Sequence, residues 1–142
     1  MDVRSYNVGN SNYAKNKIQP WDIWIDWKLD AFHGDIVKRT LRTKQEPGMS
    51  PTEARILDYE KIKHICLELK RQRLIGIEWD KSFIVHHEVT AKMVIDEYKL
   101  CPEDSVIISE ILKHSMSNYD NIIKCCDLRI EKLKPKLNFL IL

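Results

Sequence analysis

Apolar residues recur at intervals of three and four along most of the chain, which is the spacing of one face of an α-helix. The first such segment, WDIWIDWKLDAF, begins at about Pro20, because proline is favoured at the first helical position. The segment HGDIVKRTLRTK predicts a second helix up to about Lys44, where QEPGM interrupts the pattern. The sequence SPTE is a capping box with proline at the first helical position, and it predicts a third helix from Pro51 to near Arg73.

The second half of the chain is also expected to be helical. SFIVHHEVTAKMVIDEYKL contains enough β-branched residues for a strand, but the spacing of its apolar residues favours a helix. CPEDSVIISEILKHSM has a proline and two acids in its first turn, which is typical of a helix N-terminus. A last helix covers NYDNIIKCCDLRIEKLK and is expected to end at Pro135. The pattern therefore predicts a mainly α fold, a compact helical bundle.

The N-terminal segment breaks this helical pattern. The first 19 residues contain four asparagines and one glycine, which favour turns, so we expect an irregular segment there. With 142 residues, of which 44% are hydrophobic, the chain can bury one core. We expect a single domain, with a helical region over residues 1–73 and a helical C-terminal extension over residues 74–142 packed on it.

Charge and hydropathy restrict the classes of partner. The 23 Lys and Arg residues nearly balance the 21 Asp and Glu residues, which argues against a polycationic arm. The bases of the third helix alternate with Glu60 and Glu68, so we do not expect nucleic acid as a partner. No apolar run approaches the roughly 20 residues that span a bilayer, and the N-terminus lacks the apolar core of a signal peptide. We therefore expect a cytoplasmic protein without a membrane partner.

Two further compositional features predict the state of the protein. The four cysteines include no CxxC pair, and we expect reduced thiols. Three tryptophans lie within seven residues, and the chain ends with the apolar tail LNFLIL. This is more apolar surface than one small core is expected to cover, which predicts a homo-oligomer.

The motifs of several enzyme classes are missing. There is no GxxxxGK followed by Ser or Thr and no GxGxxG, which excludes P-loop and Rossmann enzymes, and GxSxG and HExxH are also absent. Histidines that stand alone in the sequence, such as His33, are interpreted as ordinary core or surface residues. Asp22, Asp26 and Asp30 stand at i, i+4 and i+8, a column that could hold a divalent cation. The alternative is the solvated face of an amphipathic helix, and no residue is assigned as a metal ligand.

The second helix carries the strongest candidate site. Gly34, Lys38 and Arg42 also stand at i, i+4 and i+8, so they share one face, where a glycine would leave room for a ligand and the two bases would bind phosphate. Asp58 stands on the inward face of the third helix, with Lys61 close by. The alternative is that Asp58 and these bases form a structural ion pair between two helices.

The chain contains, in this order, Tyr13, Ile18, Gln19, Pro20, Asp22, the run from Gly34 to Lys38, Arg42, Asp58 and Lys61. The order and spacing of these residues resemble a small phage-encoded, nucleotide-kinase-like family that has no P-loop. The resemblance covers about residues 12–69, within the region 1–73. It implies catalytic roles for Lys38, Arg42 and Asp58, and nucleotide binding by Tyr13, Gly34, Lys38, Arg42 and Lys61.

Two functions follow from this resemblance. The first is phosphoryl transfer from a nucleoside triphosphate to a nucleoside monophosphate, with Mg²⁺ as the cofactor, in the host cytoplasm if the protein is phage-encoded. The second is a non-catalytic binder that sequesters a nucleotide signal used in host anti-phage defence. Leu57 stands where the family has an acid before Asp58, and this departure favours the binder.

Overall fold

The computed structural model describes residues 2–6, 15–42, 47–79 and 86–141, and within these ranges the chain forms helices and no strand. The prediction of a mainly α fold is therefore confirmed. A short 3₁₀ turn, Val3–Ser5, precedes the helices in the irregular N-terminal part. The six α-helices are α1 (Pro20–Trp27), α2 (Ala31–Leu41), α3 (Pro51–Leu74), α4 (Ala91–Tyr98), α5 (Pro102–Ile111) and α6 (Tyr119–Ile141).

The two long helices, α3 and α6, pack along each other, and α2 and α5 lie against them. One hydrophobic core connects these elements. It contains fully buried isoleucines from α2, α3, α5 and α6: Ile36, Ile62, Ile107 and Ile122. Helices α1–α3 of the first predicted region and α4–α6 of the second thus contribute to a single core.

The first predicted helix is divided in two. The chain leaves α1 at Lys28, which adopts a left-handed conformation with φ 48°. Asp30 then caps α2, because its side chain accepts hydrogen bonds from the backbone N–H groups of Phe32 and His33. Helical spacing continues across this break, so the sequence pattern did not reveal it. The second helix is also shorter than predicted and ends at Leu41, while residues 43–46 lie outside the described ranges.

Helix α6 passes through Pro135 and continues to Ile141, so the prediction that it ends at this proline is wrong. Proline removes one backbone hydrogen bond to the residue four positions earlier, which is Glu131. Both residues are exposed, so water can reach the carbonyl that loses its partner. The loss is therefore tolerated.

The predicted helix over SFIVHHEVTAKMVIDEYKL is only partly present. Helix α4 begins at Ala91, behind the cap Thr90, and residues 86–90 are not helical. Asp26 accepts hydrogen bonds from the backbone N–H of Val89, and the indole N–H of Trp27 donates to the Val89 carbonyl at 2.8 Å. These contacts with α1 anchor the non-helical segment. Residues 82–85 lie outside the described ranges.

The tryptophans predicted to promote self-association occupy different environments. Trp27 is buried in the core and Trp24 is half-buried, whereas Trp21 is exposed. The side chains of the apolar tail from residue 138 onwards lie outside the described part of the chain. The homo-oligomer therefore stays a prediction.

A buried polar chain joins the first turns of α2 and α6. His33 is buried, its Nδ1 lies 2.7 Å from Asp30 Oδ2, and its Nε2 lies 2.9 Å from the hydroxyl of Tyr119. His33 is thus a core histidine, as expected. Burial works to raise the pKa of Asp30, but its hydrogen bonds with His33 and Phe32 outweigh burial and lower that pKa.

The lowered pKa of Asp30 predicts an acid-sensitive contribution to stability. A carboxyl whose pKa is lower in the folded state stabilises the fold above its unfolded pKa and loses this effect as the pH falls through the folded value. Asp30→Asn keeps an N-cap acceptor but loses the charged partner of His33. At pH 7 we expect it to lower the free energy of unfolding by about 1.5–3 kcal/mol in urea denaturation.

The same measurement below pH 3.8, the ordinary value of Asp30, is expected to show a smaller difference between wild type and Asp30→Asn. Asp30→Ala also removes the cap and should cost about 1 kcal/mol more at both pH values. An equal difference between wild type and Asp30→Asn at both pH values would contradict the assignment.

Candidate functional site

Gly34, Lys38 and Arg42, which were predicted to share one face of α2, lie in different environments in the structure. A Cβ atom at Gly34 would lie 3.3 Å from the indole of Trp24, so the space beside this glycine is filled by α1 and is not open to a ligand. Lys38 is half-buried and lines neither of the two cavities described below, and Lys61 is exposed on α3. Tyr13 lies outside the described residues. Of the predicted site residues, only Arg42 lines one of these cavities.

Asp58 and Arg42 form the ion pair that the sequence allowed. The Nε atom of Arg42 donates to both oxygens of Asp58 at 3.0 and 3.1 Å, and its Nη2 donates to Oδ1 at 2.6 Å. Arg39 donates to the same oxygen at 3.2 Å. Only 3% of Asp58 is exposed, so the carboxylate lies behind Arg42 and fixes its guanidinium.

Arg55 of α3 was not identified from the sequence, although it terminates α2. Its guanidinium donates to the carbonyls of Arg39 and Thr40 at 2.7 and 2.9 Å, which satisfies acceptors at the helix C-terminus. It also donates to Asp104 of α5 at 2.9 Å. Burial works to lower the pKa of Arg55, but the oxygens of Tyr59 and Asp104 raise it, so the guanidinium keeps its charge. No sequence spacing indicates this contact, because it joins three helices.

The hydroxyl of Tyr59 lies at the centre of a second cluster of polar side chains, formed with Arg55, Asp104 and Arg129. It donates to Asp104 Oδ1 at 2.6 Å and accepts from Arg55 Nη2 at 3.0 Å and from Arg129 Nε at 3.2 Å. Tyr59 is completely buried. Burial raises its pKa well above the ordinary value, so the hydroxyl keeps its proton for Asp104.

These arginines border a cavity of about 440 Å³ between α2, the α4–α5 connection and α6, which we call the basic cleft. Positive side chains outnumber carboxylates on the wall of the cleft, so the cleft attracts anions. Its positive residues are Lys15, Arg42, Arg55, Lys99 and Arg129, and its acids are Glu97 and Asp104.

The cations of the basic cleft fall into two groups. Arg42 and Arg55 are paired with buried carboxylates. Within the described part of the chain, Lys15, Lys99 and Arg129 form no ion pair with a carboxylate. This second group leaves positive charge for a ligand.

A second cavity of similar size is less suited to an anion. It measures about 420 Å³ and contains Lys70 and Arg73. Lys70 is paired with Asp120 at 2.6 Å, and Arg73 is paired with Glu78. The charge of its bases is therefore already compensated.

The aspartate column of the sequence does not form a cation site. Asp22 is paired with Arg4 at 2.6 Å, Asp26 accepts from the backbone N–H of Val89, and Asp30 caps α2. Each carboxylate thus has a different structural role, and the break after α1 separates Asp30 from the other two. Within the described ranges, no group of three or more His, Cys, Asp or Glu side chains is arranged to hold a metal ion.

The four cysteines are all unpaired, as the prediction of reduced thiols requires. Burial raises the pKa of Cys66 to about 12 and also raises that of Cys101, which lies on the wall of the basic cleft. These thiols are therefore poor nucleophiles at neutral pH.

Comparison of the chain with models of known protein families, with curated proteins and with solved structures gave no match. The family resemblance of residues 12–69 therefore stays a prediction. In the described ranges, no helix combines the length and apolar character needed to cross a membrane.

The buried pair of Arg42 and Asp58 predicts a large loss of stability when one partner is removed. Arg42→Ala leaves Asp58 buried with fewer partners, and we expect it to lower the free energy of unfolding by about 3–5 kcal/mol in urea denaturation. Lys61→Ala removes an exposed positive charge from α3 and serves as the control, with an expected change within about 0.5 kcal/mol. Similar effects of the two substitutions would show that the ion pair contributes little.

Proposed function

We propose that the protein binds a phosphorylated small molecule, a nucleotide, in the basic cleft and holds it without chemical conversion. The observation that carries this proposal is the position of Arg129. Its Nε atom is bonded to Tyr59, and its guanidinium lies on the wall of the cleft without a carboxylate partner in the described part of the chain. Lys15 and Lys99 lie on the same wall.

The chemistry of these side chains suits a phosphate group. A guanidinium presents parallel N–H donors that match two phosphate oxygens, and lysine adds a compact positive charge. The volume of about 440 Å³ lies within the usual range of small-molecule sites, about 300–1,000 Å³. A nucleoside monophosphate combines such a phosphate with a body of suitable size.

The carboxylates near the cleft favour binding over phosphoryl transfer. A base for phosphoryl transfer must accept a proton from the attacking group. Asp58 is buried behind Arg42 and accepts from it through both oxygens, and Asp104 accepts from Tyr59 and Arg55. Both acids thus serve to hold arginines, and the third carboxylate near the cleft, Glu97, accepts a hydrogen bond from the backbone N–H of Lys17. Transfer from a nucleoside triphosphate with Mg²⁺, which the resemblance implies, stays a prediction.

A binder without turnover acts by lowering the concentration of its ligand. Sequestration of a signalling nucleotide, such as one used in host anti-phage defence, is the biological role that fits this proposal. It requires tight binding and slow release, and a pre-organised set of cations favours both.

Mass spectrometry of bound and released nucleotides tests the proposed function. The purified protein is incubated with a mixture of nucleoside mono- and triphosphates and Mg²⁺, separated from unbound nucleotide, and denatured to release what it retains. We expect one nucleotide to be retained unchanged, with the composition of the solution otherwise constant. Conversion of a monophosphate to a diphosphate would contradict the binder and support the kinase.

Arg129→Ala is expected to weaken binding of the retained nucleotide about ten- to a hundredfold, because it removes hydrogen bonds to a charged group. Lys124→Ala removes one positive charge from the exposed surface of the same helix and should leave the affinity within about twofold. Isothermal titration calorimetry gives both affinities, and thermal melting verifies that both variants are folded. Equal affinities of the two variants would place the ligand outside the basic cleft.

A further inference from the structure

We infer that Tyr59 is a positioning residue that fixes the guanidinium of Arg129 in the orientation in which it binds the phosphate of the ligand. The inference rests on the proposed function and extends it to a residue that does not itself line the basic cleft. Tyr59 is completely buried, so it acts on the ligand only through Arg129.

The hydrogen bonds of the Tyr59 hydroxyl define its orientation. Its proton is donated to Asp104 Oδ1 at 2.6 Å, which directs its lone pairs towards the guanidiniums of Arg55 and Arg129. Asp104 is itself held by Arg55 at 2.9 Å. The acceptor for Arg129 is therefore fixed by groups on α3 and α5, while Arg129 comes from α6.

The bond at Nε determines which edge of the Arg129 guanidinium remains for a ligand. The group is planar and its five N–H donors have a fixed geometry. With Nε bonded to Tyr59 at 3.2 Å, the terminal Nη1 and Nη2 atoms are left without a hydrogen-bond partner within the described ranges. A phosphate in the cleft can accept from this edge through two oxygens.

This arrangement reduces the entropy cost of binding. A long arginine side chain loses rotamer freedom when it is immobilised, and a side chain already held by Tyr59 has lost part of it before the ligand binds. Tyr59→Phe removes only the hydroxyl and keeps the aromatic ring in the core. Arg129→Lys keeps the positive charge but removes the Nε donor and the fork.

A double-mutant cycle tests the inference. Wild type, Tyr59→Phe, Arg129→Lys and the double variant are titrated with adenosine 5′-monophosphate in a calorimeter, with adenosine as the uncharged control. We expect each single variant to bind the monophosphate about five- to tenfold more weakly, and the double variant to bind about as weakly as Arg129→Lys alone. Binding of adenosine should not change.

The outcomes separate this inference from the proposed function. If wild type binds the monophosphate no better than adenosine, the proposed function is wrong and the role of Tyr59 with it. If wild type binds the monophosphate but the two losses multiply in the double variant, the proposed function holds and Tyr59 does not act through Arg129. A purely structural role of Tyr59 would lower the melting temperature of Tyr59→Phe without this coupling.

A measurement on the wild-type protein tests the positioning role of Tyr59 even if Tyr59→Phe does not fold. The Arg129 Nε–H signal in a ¹H–¹⁵N spectrum is assigned by its loss in Arg129→Lys. We expect slow exchange of this proton with solvent, both without ligand and with saturating adenosine 5′-monophosphate, because its bond to Tyr59 persists. Fast exchange in the bound state would overturn the positioning role.

Discussion

The packing of these helices depends on compensating the negative charge of two buried carboxylates, Asp58 and Asp104. An uncompensated charge in the interior costs several kcal/mol, so each acid needs a guanidinium. Arg42 supplies it for Asp58 across the α2–α3 contact, and Arg55 supplies it for Asp104 across the α3–α5 contact. The same pairs that connect the helices also bring arginine side chains to the basic cleft.

Under the proposed function, compensation of buried charge and binding of a ligand are therefore linked. Arg55 donates to a backbone carbonyl at the end of α2 and to Asp104. The hydroxyl of Tyr59 accepts a hydrogen bond from Arg129. Tyr59, Arg55 and Asp104 hydrogen-bond to one another behind the cleft wall, so the acceptor for Arg129 is in place before a ligand binds. A site of this kind recognises its ligand with little rearrangement, whereas a site of flexible lysines alone would have to order them first.

The sequence predicted what depends on local signals. The capping box before α3 and the proline and acids at the start of α5 lie where expected. The inward position of Asp58 allowed an ion pair with Arg42 or Lys38 as an alternative to a binding site, and the structure shows the pair with Arg42. The break at Lys28 was missed because apolar spacing continues across it. Arg55 and Arg129 were missed for another reason: their roles depend on which helices meet, and no spacing along one helix reports that.

The hydrogen bond from the indole of Trp27 to the carbonyl of Val89 has a consequence for the order of folding. This hydrogen bond joins residues 62 positions apart, so a long loop must close before the contact gives any stabilisation. Helix α1 is also short, and it relies on such distant partners. We therefore expect α1 to dock late, onto a nucleus formed by α3, α5 and α6, and to detach first when the protein unfolds.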